Sequence, residues 1–318
     1  MKKTFFIITL IGLIGAGGYF SYLGYIKAHD TETSLTADRR VVPHLDKRVL
    51  ENRKIAWKKL IKEIRKLTKN FNGTAGIVIK DLDMNWEMYL NKDLPVPSAS
   101  VVKIPIMLSY FYAANDGKVD LNSRIAFKKS ERTPGSGKLQ HSSDGQEFGI
   151  ESLIDLMITE SDNTAANMLI NYMGIDVLND YFTKMGLKHT NLSRKMMDFK
   201  ERKGGVENYT TAGEMAYLLE QLYRGRFINA GISKKCIEIL AGQKVNDRIP
   251  KKLPVEVVVA HKTGLENFLC HDAGIVYTDK GNFLISVLAK HKNKTAQEAK
   301  SVIADISLLT YNYYGDSQ

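Results

Sequence analysis

Strand-like sequence is confined to two stretches near opposite ends of this 318-residue chain, and that split constrains the fold more than any other feature. Gly73 to Lys80 and Asn85 to Leu90 are short and rich in β-branched residues, with a turn at Asp81 to Met84 between them. Val255 to Ala260, Asp272 to Tyr277 and Asn282 to Ala289 form the second group, where Thr278-Asp-Lys-Gly281 reads as a hairpin turn. Between the groups the pattern is helical, over Ser100–Asp116, Gly149–Thr159, Thr164–Met173, Asp176–Met185, Thr211–Tyr223 and Ser233–Ala241. Asp46 to Phe71 is an amphipathic helix that carries Trp57, Leu60, Ile64 and Phe71 at helical spacing, and Thr295 to Tyr314 is the last helix. Strands from both chain ends share one sheet only if the helical middle is set beside it. The expected fold is therefore α+β: a five-stranded antiparallel sheet covered by the N- and C-terminal helices, plus an all-helical part. A composition of 44% hydrophobic and 25% charged residues supplies the core for it. The active cleft belongs where sheet and helical part meet.

The first residues have a different character. Thr4 to Ile26 carries no charge and is long enough to cross a bilayer as a helix. It lacks a small-x-small cleavage site, and Tyr19, Phe20, Tyr22 and Tyr25 suit a membrane interface. Lys2 and Lys3 then stay cytoplasmic and everything after Lys27 lies outside. The expected organisation is a cytoplasmic N-terminus at 1–4, a transmembrane signal-anchor or else a signal peptide at 5–26, a polar tether at 27–45 and a catalytic domain at 46–316. Its sheet part is expected at 46–95 and 250–316 and its helical part at 96–249. The localisation that follows is a single-pass membrane protein with its catalytic domain outside the cytoplasm, or a secreted one if the N-terminal segment is cleaved.

Net charge is +10, and much of it clusters between Arg39 and Lys69. No nucleic-acid motif accompanies the cluster, so it reads as a solvated face, with anionic lipid or wall polymer as a weaker alternative. The absence of HExxH and CxxC gives no reason to expect a metal or cofactor. Cys236 and Cys270 are either a disulfide permitted by export or two buried thiols. A monomer is expected.

Three signals carry chemistry. Ser100-Val-Val-Lys103, Ser161-Asp162-Asn163 and Lys262-Thr263-Gly264 each occur once, in that order. Alone, each reads as an ordinary cap or strand end; together they form a catalytic set. A serine hydroxyl needs a base to become a nucleophile, and a lysine three residues on shares its helix face. Burial beside another cation lowers a lysine's pKa and fits it for that task. Ser161 can relay a proton to the leaving nitrogen. Asn163 can bond a substrate amide, and Lys262 and Thr263 can hold a carboxylate. The backbone N–H groups of Ser100 and Leu265 are the natural oxyanion pair. Pro134-Gly-Ser-Gly-Lys138 resembles part of a phosphate loop but lacks its context, and reads as a loop on the cleft rim.

From about Lys54 to Tyr314 the chain resembles the class A β-lactamases and their penicillin-binding relatives. Met157 to Asn167 is similar to that family's segment around Ser-Asp-Asn, and Asn208 to Met215 to the segment closing its Ω-loop. The resemblance implies a serine hydrolase acylated by β-lactams and deacylated by water, acting on a β-lactam or a peptidoglycan-derived substrate. A D,D-peptidase or a non-turnover sensor of wall or antibiotic is the alternative. One departure matters. The family's Ω-loop glutamate, which positions the deacylating water, aligns near Met196 within Asn191 to Arg202. Asp198, drawn inward by Met196 and Met197, is the expected substitute, with Glu201 behind it. An arginine that many members place after the KTG is absent too, and His271 and Asp272 stand there.

Overall fold

Three strands of nine residues, apolar on both faces, form the centre of the molecule. A computed structural model describes residues 47–316. The sheet holds β1 (Gly73–Asp81), β2 (Trp86–Leu90), β7 (Val258–Glu266), β8 (Leu269–Tyr277) and β9 (Phe283–His291), all antiparallel, in the order β2-β1-β9-β8-β7. In β9, Phe283, Ile285, Val287 and Ala289 face one core, and Leu284 and Leu288 face the other. That alternation makes β9 a strand buried on both sides.

One face is covered by the terminal helices, α1 (Lys47–Lys69) and α9 (Gln297–Asp316). Trp57, Leu60 and Ile64 of α1 are buried there with Ile303, Ile306 and Tyr313 of α9. Asp81 fastens this layer to the sheet. Its Oδ1 accepts the amides of Asp83 (3.0 Å) and Met84 (2.9 Å), while Oδ2 accepts Tyr313 Oη at 2.8 Å and lies 3.3 Å from Arg53.

The other face meets the helical part, which contains α2 (Lys103–Asn115), α3 (Ile150–Thr159), α4 (Asn163–Met173), α5 (Ile175–Lys184), α6 (Phe199–Lys203), α7 (Ala212–Tyr223) and α8 (Ala230–Ala241). Two small ribbons brace it: β3 (Val96–Pro97) pairs with β6 (Tyr209–Thr210), and β4 (Arg124–Ala126) with β5 (Glu147–Gly149). Cys236 and Cys270 are both buried and free, so the disulfide alternative does not hold; they lie in different elements, α8 and β8. No helix among the described residues is long and apolar enough to cross a membrane. The expected N-terminus at 1–4, anchor at 5–26 and tether at 27–45 lie outside the described residues.

Two local expectations change. The helix expected from Ser100 begins only at Lys103, preceded by a 3-10 turn over Ala99–Val102. Pro105 accounts for this. An α-helix starting at Ser100 would need an N–H at Pro105 and would bring its ring against the Val101 carbonyl, whereas proline is tolerated in a first turn. The Lys-Thr-Gly segment, expected past a strand end at Ala260, lies inside β7, which runs to Glu266. Its polar residues read as a stop because their burial is not visible in the pattern.

Candidate active site

The 3-10 turn sets the geometry around Ser100. In such a turn residues i and i+3 eclipse, so Lys103 lies directly behind Ser100, and its backbone N–H donates to Ser100 O. The preceding segment is held at both sides. Ser98 N–H donates to Asn208 O at 2.8 Å, and His271 Nε2–H donates to Pro97 O at 2.9 Å. Ala99, Ser161 and Met197, none of them glycine, hold left-handed backbone φ values of +44°, +54° and +61°. Such conformations cost on the order of 1 kcal/mol each and persist where the surroundings enforce them. Ala99 and Met197 line one cleft, and Ser161 adjoins its lining through Asn163, two residues on.

That cleft is lined by Ser100, Gly135, Asn163, Met196, Leu265 and Glu266, among others. Two fully buried lysines share one hydroxyl, and one of them bonds the cleft-lining Asn163. Lys103 Nζ donates to Ser161 O (2.8 Å), Ser161 Oγ (3.3 Å) and Asn163 Oδ1 (2.8 Å). Lys262 Nζ donates to the same Ser161 Oγ (3.0 Å) and to Thr263 O (3.0 Å). Burial lowers Lys103 to about 7, against a weaker opposing effect of the Asp162 charge. Burial also pulls Lys262 well below the usual lysine range, and the Lys103 charge adds to it. A lysine near 7 is neutral often enough at neutral pH to take a proton from a serine. Thr263 is buried beside Lys262. Gly264 sits in a tight place, since a Cβ would come within 3.3 Å of both Ala99 and His271.

The Pro134-Gly-Ser-Gly-Lys138 loop is the facing wall. A Cβ on Gly135 would lie 2.9 Å from Asn163 Nδ2, and one on Gly137 would lie 2.2 Å from the Asp162 carboxylate. Both glycines have positive φ. Asn163 Nδ2 in turn donates to Pro134 O at 3.0 Å. Asp162 caps α4, accepting the Ala165 amide at 2.9 Å, and its second oxygen accepts the Leu139 amide at 2.8 Å.

Asp198 is not among the residues that line the cleft. Its carboxylate caps α6 by accepting the Glu201 amide at 3.1 Å, and Glu201 is exposed on that helix. The cap engages Oδ1 of the carboxylate. Met196 and Met197 line the cleft instead. Asn167 fixes Met196 there, with Oδ1 accepting its amide (2.8 Å) and Nδ2 donating to its carbonyl (3.1 Å). One carboxylate does reach the cleft. Glu266 lines it, held by Arg202 at 2.7 Å and Arg194 at 3.4 Å. Both arginines also pair with Glu207, at 3.1 and 2.7 Å. This four-charge cluster clasps the loop to the end of β7. Sequence reading missed Glu266, Asn167 and the cluster; Asn167 stood within the quoted segment, but nothing near Glu266 signals partners so far off in the chain.

His271 occupies the place of the missing arginine without doing its work. It is fully buried, its Nδ1 accepts the Ala289 amide at 3.1 Å, and Nε2 carries the proton given to Pro97. Burial is the main reason its pKa falls to about 4. The unfolded chain binds that proton near 6.5, so stability from a neutral His271 is complete above about pH 6.5 and is lost as pH falls towards 4. The loss amounts to about 3 kcal/mol over that window. Denaturant unfolding at pH 7 and pH 4.5 should show it, with a shallower dependence in His271→Gln. A cation lies deeper. Arg248 is buried behind Lys262, with Nε donating to Cys270 Sγ at 3.3 Å and Nη1 to Asp247 at 2.8 Å. Asp272 accepts the Ile249 amide (3.1 Å) and bonds His261 (2.8 Å).

Residues 59–314 match the model of a β-lactamase enzyme family. The chain is 24% identical to β-lactamase VEB-1 of Pseudomonas aeruginosa, over 79% of this chain and 89% of that one. A β-lactamase of Bacteroides uniformis is 25% identical over 78% and 89%. Among solved structures, the β-lactamase of Sphaerobacter thermophilus superposes with a TM-score of 0.74 at 29% identity, covering 81% of this chain and 98% of that chain. A single-residue mutant of PBP-A, solved as an acyl-enzyme complex with penicillin G, also gives 0.74, at 26% identity over 81% and 97%.

Proposed function

Because the chain belongs to the β-lactamase enzyme family, we propose that it is a serine hydrolase of class A type, acylated at Ser100 by β-lactams and slow to lose the acyl group. The observation that carries the first half is the hydrogen-bonded run Lys103–Ser161–Lys262. Neutral Lys103 takes the Ser100 proton as Oγ attacks the lactam carbonyl carbon. The backbone N–H groups of Ser100 and Leu265, on neighbouring packed segments, receive the developing oxyanion. The C–N bond then breaks, and Ser161 passes a proton from the lysine pair to the leaving nitrogen. Lys262 and Thr263 hold the substrate carboxylate, with Arg248 behind them adding positive potential, and Asn163 bonds the substrate amide.

The second half rests on Met196. Hydrolysis of the ester needs a base for water on this side of the cleft, and thioethers cannot serve. Glu266 is engaged by two arginines. Turnover is therefore limited by deacylation. The same observation gives weight to a second reading, a D,D-peptidase acting on wall peptide, in which a β-lactam is an inhibitor. We place the catalytic domain outside the membrane on an anchor at 5–26, a reading supported by the uncharged run alone. Hydrolysis of a chromogenic cephalosporin tests the function. A stoichiometric burst followed by slow turnover is expected. Fast steady turnover without a burst would remove the claim of slow deacylation, and release of D-alanine from a pentapeptide would favour the peptidase.

A further inference from the structure

Helix α1 turns an unusually uniform charge away from the body of the protein. Its inner side is buried through Arg53, Trp57, Leu60 and Ile64. On the outer side Lys47, Lys54, Lys58, Lys62, Arg65 and Lys69 are all exposed. At 100° per residue these six fall within an arc of about 80°, centred about 130° round the helix from the buried side chains. Further exposed basic residues flank the stripe, and one carboxylate interrupts it, Glu51, 3.8 Å from Lys54. The stripe is straight and about 34 Å long. At its edge Ile55 is 59% exposed, an aliphatic side chain with no core to join.

We propose that this face of α1 docks on an anionic phospholipid surface. Three observations favour that occupant. The charge is one sign and arranged in a line, which a planar anionic leaflet can meet along its whole length, each basic side chain within a Debye length contributing attraction. Ile55 gains from entering the acyl boundary, whereas a soluble polyanion offers it nothing. Lys27, which ends the uncharged run, precedes Lys47 by only twenty residues, so the helix starts within about 70 Å of that run. With the run in the bilayer, such a tether keeps the face at about millimolar effective concentration. The cleft opens on the other side of the sheet from α1, so the docked protein keeps Ser100 accessible.

The test uses the full chain in vesicles of phosphatidylcholine alone or with about one-third phosphatidylglycerol. An environment-sensitive fluorophore is placed at Ile55→Cys; both native thiols are buried and spared. In the anionic vesicles the probe should shift to the blue and be quenched by a lipid-borne quencher. The effect should be absent in the neutral vesicles and reversed near 1 M salt, where screening is within about 3 Å. The triple variant Lys58→Gln, Lys62→Gln, Arg65→Gln should lower the docking constant about a hundredfold. Its penicillin labelling of Ser100 should be unchanged, which separates this inference from the hydrolase reading. A probe indifferent to the anionic lipid overturns the proposal. So does one that responds to a soluble polyphosphate and not to vesicles, which would assign the face to wall polymer.

Discussion

Acylation of Ser100 should fall by about 10²- to 10⁴-fold in Lys103→Met, the usual worth of a positioned general base. Methionine keeps the length of the chain and removes the amine. It also leaves Asn163 Oδ1 and Ser161 O without the donor that now joins them, so Lys103→Arg is the informative partner: it keeps donors but cannot deprotonate near neutrality. Both variants should lose acylation. The wild-type pH profile carries the sign. Lys103 acts as the neutral amine and its pKa is about 7, so the acylation rate should rise tenfold per pH unit below 7 and level off above it. Stopped-flow reaction with a chromogenic cephalosporin reads both. A rate that is flat from pH 5.5 to pH 8.5 would assign the base to another group.

Met196→Glu should act on the opposite half of the reaction. It puts a carboxylate on the cleft wall at the one place where the backbone is already fixed from both sides by Asn167. Deacylation should quicken by about 10²- to 10⁴-fold while acylation stays within a few-fold. Met196 is buried, so the new carboxylate is desolvated. Its pKa rises, which suits a base, and the fold loses stability, by about 1–3 kcal/mol. Single-turnover decay of the acyl-enzyme, set beside a melting curve, separates the two effects. An acyl lifetime equal to that of the wild type would mean the water is not approached from this wall.

Legibility in the sequence depends on whether a residue carries a local signal. The sheet of five strands was legible because each strand has its own local pattern, and β1 and β9 find each other once both faces of β9 read as apolar. That Lys103, Ser161 and Lys262 come together was legible although 58 and 101 residues separate Ser161 from the two lysines, because each lies in its own short motif. The start of α2 was misread although Pro105 was in plain view; an apolar run suggested an unbroken helix, and the proline rule outweighs it. Glu266 was illegible for a different reason. Its partners Arg194 and Arg202 lie 72 and 64 residues away, and nothing local marks a glutamate two residues past Gly264 as paired. The cap that Asp198 makes was not legible either, since the pattern omits the free amides of the helix it begins.

Central to all of this is that a β-lactam forms a lasting ester with Ser100. Intact-protein mass measured minutes after mixing with penicillin G, followed by peptide mapping, tests it directly. One adduct per chain is expected, on the peptide containing Ser100, persisting over many minutes and absent from Ser100→Ala. An adduct on another residue, or unchanged protein mass while the penicillin is left intact, would contradict it.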